Sequence, residues 1–185
     1  TDKDTGDLLG GVSYQLTAKE DIYSLDGRHT LIYEKGQTVS KDISEDGLYV
    51  TNELGEIHIS ELPLGQYELK ETQALEGYAR DENIYSIDLS YDGSDQTVYT
   101  HSMNVTNQKT VVEISKKDIT DGNELEGAKL TLFDKDDQVI ETWTSTNEPH
   151  IIKGLLVGEK YRLHEDLAPL GYVKTSDITF TVNNT

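Results

Sequence analysis

The sequence predicts an all-β protein built as two tandem β-sandwich domains, and three observations lead there. No segment keeps a helical period of useful length, and short alternating runs punctuated by turn residues recur along the whole chain. A twelve-residue stretch also occurs twice, as YELKETQALEGY at 67–78 and YRLHEDLAPLGY at 161–172. Tyr67/Tyr161, Leu69/Leu163, Glu71/Glu165, Ala74/Ala168, Gly77/Gly171 and Tyr78/Tyr172 are identical between the copies, which marks one structural unit used twice. A chain of 185 residues holds one large domain or two small ones, and the repeat decides for two.

Taken in order, the chain opens with a polar turn and then alternates apolar residues at Val12, Tyr14 and Leu16, the pattern of a half-buried strand. Its counterpart starts the second half: Leu125, Gly127, Ala128, Leu130 and Leu132 match Leu9, Gly11, Val12, Tyr14 and Leu16 at a constant offset of 116. The YxLxE copies match at an offset of 94, so the first domain carries 22 additional residues between Lys19 and Gly55. Turn signals at Asp26-Gly27 and Lys35-Gly36 flank Leu31, Ile32 and Tyr33, which predicts an added hairpin or a short helix followed by a strand. After Tyr78 come an alternating run at Tyr85, Ile87 and Leu89, a turn at Asp92-Gly93-Ser94-Asp95, and a strand whose Tyr99, Met103, Val105 and Asn107 share a face.

The second half begins with VVEISKK, where Val112, Ile114 and Lys116 share a face. It continues through LTLFD, a turn at 135–137, VIETW, a short strand at 150–152, YRLHE and ITFTV, whose Ile178, Phe180 and Val182 alternate. The expected division is a first domain at 1–108, with its first strand truncated and an insertion near 20–55, and a second at 109–185 that lacks its last strand.

Each repeat poses a chemical question. Alternate residues of a strand share a face, so Tyr67 and Leu69 place Glu71 on an apolar face, and Tyr161 and Leu163 do the same for Glu165. A buried lone carboxylate finds a partner or takes up a proton. For one copy alone, a strand that ends at a solvated Glu is the better reading; recurrence at the same phase favours burial.

Composition narrows the function. The net charge of −19 repels phosphate backbones and anionic lipid, so neither nucleic acid nor membrane is expected as a partner. Cysteine is absent, so a chain working outside the cell needs a brace other than a disulfide. No charged-then-apolar leader precedes Thr1, and the start reads as an excised or processed end. Asp-rich stretches at 2–7 and 134–137 bring carboxylates together as calcium requires, but neither completes an EF-hand loop, and no metal is assigned. The five histidines lack metal-ligand spacing, and neither a GxSxG, a P-loop nor a dinucleotide fingerprint occurs, so no cofactor is expected.

The pattern SKKDxxDGxxLxGA at 115–128, followed by YRLHEDLAPLGY and ITFTV, resembles the Cna B-type (SpaA-like) domains of Gram-positive surface proteins and pilins. LPLGQYELKET at 62–72 resembles the E-box region of the same family, with Leu75 where the family usually has Pro; the second copy keeps Pro169. The resemblance implies two tandem Ig-like, prealbumin-like sandwiches. It also implies a spontaneous isopeptide bond in each, between a Lys on the first strand and an Asn or Asp on the last, assisted by the E-box Glu. Carried over by position, Glu71 and Glu165 are the assisting acids, and Lys116 and Asn107 the cross-linking residues. In that chemistry an apolar site favours the uncharged amine and the protonated acid.

The same offsets put the partners outside the chain. The match of Lys116 is position 0, Lys3 is three residues out of step, and the match of Asn107 is position 201. The expected function is a non-enzymatic stalk segment of a cell-wall surface adhesin or pilin, whose partners are neighbouring domains of the same protein or pilus. The alternative is an adhesin module in which the insertion and exposed tyrosines contact a host protein or glycan. A third reading is an accessory β-domain of a carbohydrate-active enzyme.

Overall fold

The computed structural model describes residues 1–42, 47–91 and 99–184. Every regular element in it is a strand. The chain divides into two compact units, one of Thr1–Leu75 with Arg80–Gln108, the other of Glu76–Ala79 with Lys109–Thr185.

In the first unit the strands are β1 (Ser13–Ala18), β2 (Ile22–Tyr23), β3 (Leu31–Tyr33), β4 (Leu48–Val50), β5 (Gln66–Gln73) and β6 (Ile84–Asp88). β4, β1, β5 and β6 form an antiparallel sheet in that order. Alternation in β1 and β5 buries Tyr14, Leu16, Tyr67 and Leu69 on one face, and Glu71 follows them inward. The hairpin β2–β3 lies among the additional residues of this unit, and β4 pairs with β1 at the edge of the sheet. Ile22 anchors the hairpin: it is buried, and a Cβ on Gly65, whose φ is 154°, would come within 2.9 Å of its side chain.

The second unit comprises β7 (Val111–Ile114), β8 (Lys129–Phe133), β9 (Val139–Thr144), β10 (His150–Lys153), β11 (Lys160–Leu167) and β12 (Ile178–Thr181). A β10–β7 ribbon faces a sheet ordered β12-β11-β8-β9. Their shared core holds Leu132, Ile152, Leu155, Tyr161 and Val182, with Val112, Ile114 and Trp143 packed against it. The ribbon supplies Val112, Ile114 and Ile152 from alternate positions, as period-two patterning requires.

The repeat is physical as well as textual. Gly11 and Gly127, matched at offset 116, both take positive φ (98° and 86°). Gly6 N–H donates to Asp2 O at 2.9 Å, and Gly122 N–H to Asp118 O at 2.9 Å, so the loops at 2–7 and 118–123 close alike. β5 and β11 also carry the same irregularity one residue past their glutamates: the register slips at Thr72 against β1 and at Asp166 against β8. Such a bulge leaves the Glu on the inner face and turns the chain away after it.

Two expectations meet a different outcome. The turn at 92–95 lies outside the described residues. Residues 99–106 keep the expected alternation, with Tyr99, Met103 and Val105 half-buried and Asn107 buried, yet they form no sheet strand. A strand is defined by ladder partners. Here the backbone bonds come from a short stretch: the Thr1 ammonium donates to Val105 O, Asn107 N–H to Thr1 O and Lys3 N–H to Asn107 O, each at 2.9 Å.

Leu132 is wholly buried in the second core. Leu132→Ala should therefore cost about 3 kcal/mol of stability, read from urea unfolding followed by Trp143, the one tryptophan in the sequence.

Candidate functional site

Each unit buries one carboxyl group at the matched strand position, and each gives it a different partner. Glu71 is 0% exposed and Glu165 2%.

In the first unit, Asn107 is 2% exposed and its Nδ2 lies 2.8 Å from Glu71 Oε1 and 2.7 Å from Oε2. Burial pushes the Glu71 acid above the ordinary carboxyl range; the Asn107 amide and the Asp81 N–H oppose this without cancelling it, and Asp81 and Arg80 add smaller, opposed charge effects. Glu71 thus holds its proton more tightly than an ordinary carboxyl group. A neutral carboxyl needs an acceptor for that proton, and a half-turn of the Asn107 carboxamide about Cβ–Cγ presents Oδ1 in place of Nδ2. Thr1, Tyr14 and Asn107 help to line a cavity of about 940 Å³ between the sheet and the segments 55–62 and 99–105. Lys3 is exposed in the opening turn, with Nζ 3.2 Å from Gln108 Oε1.

In the second unit, Lys116 lies two residues past β7. Its N–H donates to Glu124 Oε2 at 3.1 Å, and its carbonyl accepts from Leu125 N–H at 2.6 Å. The side chain, 17% exposed, turns inward and sets Nζ 3.0 Å from Glu165 Oε1. That oxygen accepts no well-aligned hydrogen bond, so the ammonium compensates it by charge. Oε2 accepts from Thr175 N–H at 2.6 Å and from Thr175 Oγ1–H at 2.9 Å. Burial pushes Glu165 up, but the Thr175 N–H, the Lys116 ammonium and the Thr175 hydroxyl together hold it below the ordinary range.

The expectation of an uncharged amine beside a protonated acid is therefore not what this unit shows. Lys116 and Glu165 form an ion pair, because three donors converge on one carboxylate. Sequence reasoning also missed Thr175 and Asp81. Both lie ten residues after their glutamate and both direct a backbone N–H at it. The offset of 94 that matches Glu71 to Glu165 matches Asp81 to Thr175, so the signal was present in the repeat.

The other candidates resolve into turns. Asp2 Oδ1 accepts from the backbone of Asp4 and Thr5 at 2.7 and 3.0 Å. Asp134 Oδ1 accepts from Asp136 and Gln138 at 2.9 and 2.8 Å. His150 stacks on Trp143 with centroids 4.3 Å apart, and His164 Nδ1 lies 2.6 Å from Asp177 Oδ1.

The model of the SpaA family, described as a prealbumin-like fold domain, matches residues 1–104 and again 110–185. Among curated proteins none matches the chain. Among solved structures, the chain is similar to the Bacillus anthracis TIE protein (24% identity, TM-score 0.47), covering all of this chain and 30% of that one. A Streptococcal ancillary pilin is 26% identical with TM-score 0.41, over all of this chain and 57% of the pilin. The C-terminal fragment of the pilus adhesin SpaC from Lactobacillus rhamnosus GG is 20% identical with TM-score 0.39, over 94% of this chain and 74% of that one. The chain thus spans less than two thirds of the first two.

The two acids should titrate on opposite sides of the ordinary value near 4.3, Glu71 above it and Glu165 below, as followed by ¹³C NMR of the carboxyl carbons. The consequences for stability have opposite signs. The raised Glu71 contributes stability that is present below the ordinary value and lost as pH rises through its folded value. The lowered Glu165 contributes stability that is present above the ordinary value and lost as pH falls through its folded value. At pH 7, Glu165→Gln should cost about 1–3 kcal/mol, whereas Glu71→Gln should be neutral or stabilising; denaturant titration of the two variants checks the contrast.

Proposed function

We propose that this chain, which belongs to the SpaA family of prealbumin-like fold domains, is a structural stalk segment of a Gram-positive cell-wall surface protein or pilus, braced by spontaneous isopeptide bonds. One observation carries the reading: a buried glutamate occupies the same strand position in both units and touches one half of an amide-forming pair in each. In the first unit it touches the acyl half, Asn107; in the second it touches the amine half, Lys116. Among the described residues no helix is long and apolar enough to cross a membrane, and the location proposed is the cell surface.

In this chemistry a lysine Nζ attacks Cγ of the asparagine side chain. The glutamic acid donates its proton to the amide oxygen as charge develops there, takes a proton from the attacking nitrogen, passes it to the departing nitrogen, and recovers the first proton from the oxygen as the carbonyl re-forms. A new C–N bond replaces the original one and ammonia leaves. Holding amine and amide together contributes roughly 7–11 kcal/mol of barrier lowering in well-oriented cases, so the fold acts once, on itself, without turnover. By the repeat offsets, the amine for Asn107 belongs to a lysine one residue before Thr1, and the acyl partner for Lys116 to an Asn or Asp near position 201. Neighbouring domains of the same protein are the proposed partners.

A second reading rests on the β2–β3 hairpin. Leu25 is 76% exposed there, Leu31 and Ile32 are also open to solvent, and Tyr23 stacks on His29 with centroids 4.2 Å apart. In that reading the hairpin contacts a host protein or glycan. Binding that disappears on deletion of residues 20–41 would favour it over the stalk.

The stalk reading predicts that the 185-residue chain keeps its full calculated mass, while a chain extended by one strand with lysine directly before Thr1 loses one ammonia. Glu71→Ala in the extended chain should abolish the loss. Full mass in the extended wild type after prolonged incubation, or unchanged ammonia loss in Glu71→Ala, would overturn the reading.

A further inference from the structure

The second unit holds two adjacent lysines, and they point at different carboxylates. Lys116 lies past the end of the β10–β7 ladder, whose last pair is Ile114 with His150, so that ladder does not fix it. The segment before β8 does. The Lys116 carbonyl accepts from Leu125 N–H at 2.6 Å, its N–H donates to Glu124 Oε2 at 3.1 Å, and an isolated antiparallel bridge sets Lys117 directly opposite Glu124. Directly opposed side chains share a face, and Oε1 of the same carboxylate stands 3.8 Å from Lys117 Nζ. Lys116, one residue earlier, alternates to the other side, where its Nζ lies 3.0 Å from Glu165 Oε1.

Exposure follows this division. The Lys117 side chain is 56% exposed and that of Lys116 17%, while Glu124 itself is 12% exposed. A carboxylate so shielded, accepting an N–H with one oxygen and facing an ammonium with the other, is a fixed point for the chain around it. The first contact holds the Lys116 backbone, the second keeps Lys117 outward, and the flexible stem of Lys116 is left to Glu165. The repeat does not copy this arrangement. The offset of 116 matches Glu124 to Leu8, which is exposed and carries no acceptor, so the clamp belongs to the unit whose lysine touches the buried acid.

We propose that Glu124 is a positioning residue of the second unit: its carboxylate clamps the backbone of Lys116 and holds Lys117 aside, and so selects Lys116 as the amine that meets Glu165. The consequence for cross-linking rests on the bond-forming reading, but the placement of the amine is testable without it.

The test has three arms. In the 185-residue chain, the ¹³C carboxyl titration of Glu165 is compared among wild type, Glu124→Leu, Glu124→Ala, Glu124→Gln and Glu126→Gln. Glu126 is exposed and controls for loss of a neighbouring negative charge. Removing a negative charge by itself favours ionisation of Glu165 and cannot raise its midpoint. Loss of the clamp acts the other way: Glu124→Leu, which reproduces the residue at Leu8, and Glu124→Ala should each raise the midpoint by about one pH unit as the Lys116 ammonium is released. Glu124→Gln keeps an oxygen that accepts from Lys116 N–H and should stay close to wild type. In the second arm, acetylation by N-hydroxysuccinimidyl acetate, read by peptide mass, should label Lys117 several-fold faster than Lys116 in wild type and bring the two toward parity in Glu124→Leu and Glu124→Ala. In the third, the chain is extended after Thr185 by a copy of residues 92–108, which puts the copied Asn107 at position 201; Glu124→Leu should slow ammonia loss there by about tenfold or more. A midpoint unchanged or lowered in both Glu124→Leu and Glu124→Ala overturns the proposal, as does an equal rise in Glu126→Gln or in Glu124→Gln, or an acetylation ratio that does not move. No ammonia loss in the extended wild type sinks the bond-forming reading alone, and the first two arms still decide the role of Glu124.

Discussion

The structure depends on the cost of placing a carboxyl group on the apolar face of a strand. In each unit that strand runs through the centre of the four-stranded sheet, so its inward side chains have no route to water. An ionised carboxylate there is stable only if donors converge on it, and otherwise the group takes up a proton. The bulges at Thr72 and Asp166 serve this constraint directly. They keep the acid inward and then carry the chain back over it, so that the residue ten positions on offers its N–H to the carboxyl.

From this common frame the two units reach opposite electrostatic solutions. The second places a cation, a hydroxyl and an N–H on Glu165, and the carboxylate stays charged. The first offers an amide and an N–H, both neutral, and burial pushes the acid above the ordinary range. The difference follows from the side chain each glutamate meets, Asn107 in the first unit and Lys116 in the second. A lysine brings its charge with it, and an asparagine does not.

Much of this was legible in the sequence because it is carried by strict parity. Tyr67, Leu69 and Glu71 alternate in one strand, their matches alternate in another, and a period of two leaves no freedom about which side each occupies. The residues that escaped notice lack that signal. Thr175 and Asp81 act through their backbone, which side-chain chemistry does not reveal. Residues 99–106 kept their alternation without becoming a strand, because alternation records which side is buried and a ladder needs a neighbour.

The covalent brace proposed above would answer a weakness visible in both units. Neither contains cysteine, and the core cluster of the second holds, among the described residues, five buried side chains with a partly buried rim. Closing a loop of about 100 residues by a side-chain bond contributes about 4–5 kcal/mol if the chain-entropy argument for disulfides transfers, comparable with the whole stability of a small domain. An amide has a further advantage, since no thiol can reduce it. Its position matters as much as its strength: Asn107 N–H already donates to Thr1 O, and the Thr1 ammonium to Val105 O, at the two ends of the first unit's chain. A bond formed there would tie first segment to last, so that tension along the chain would pass through the bond and leave the sheet between them unloaded.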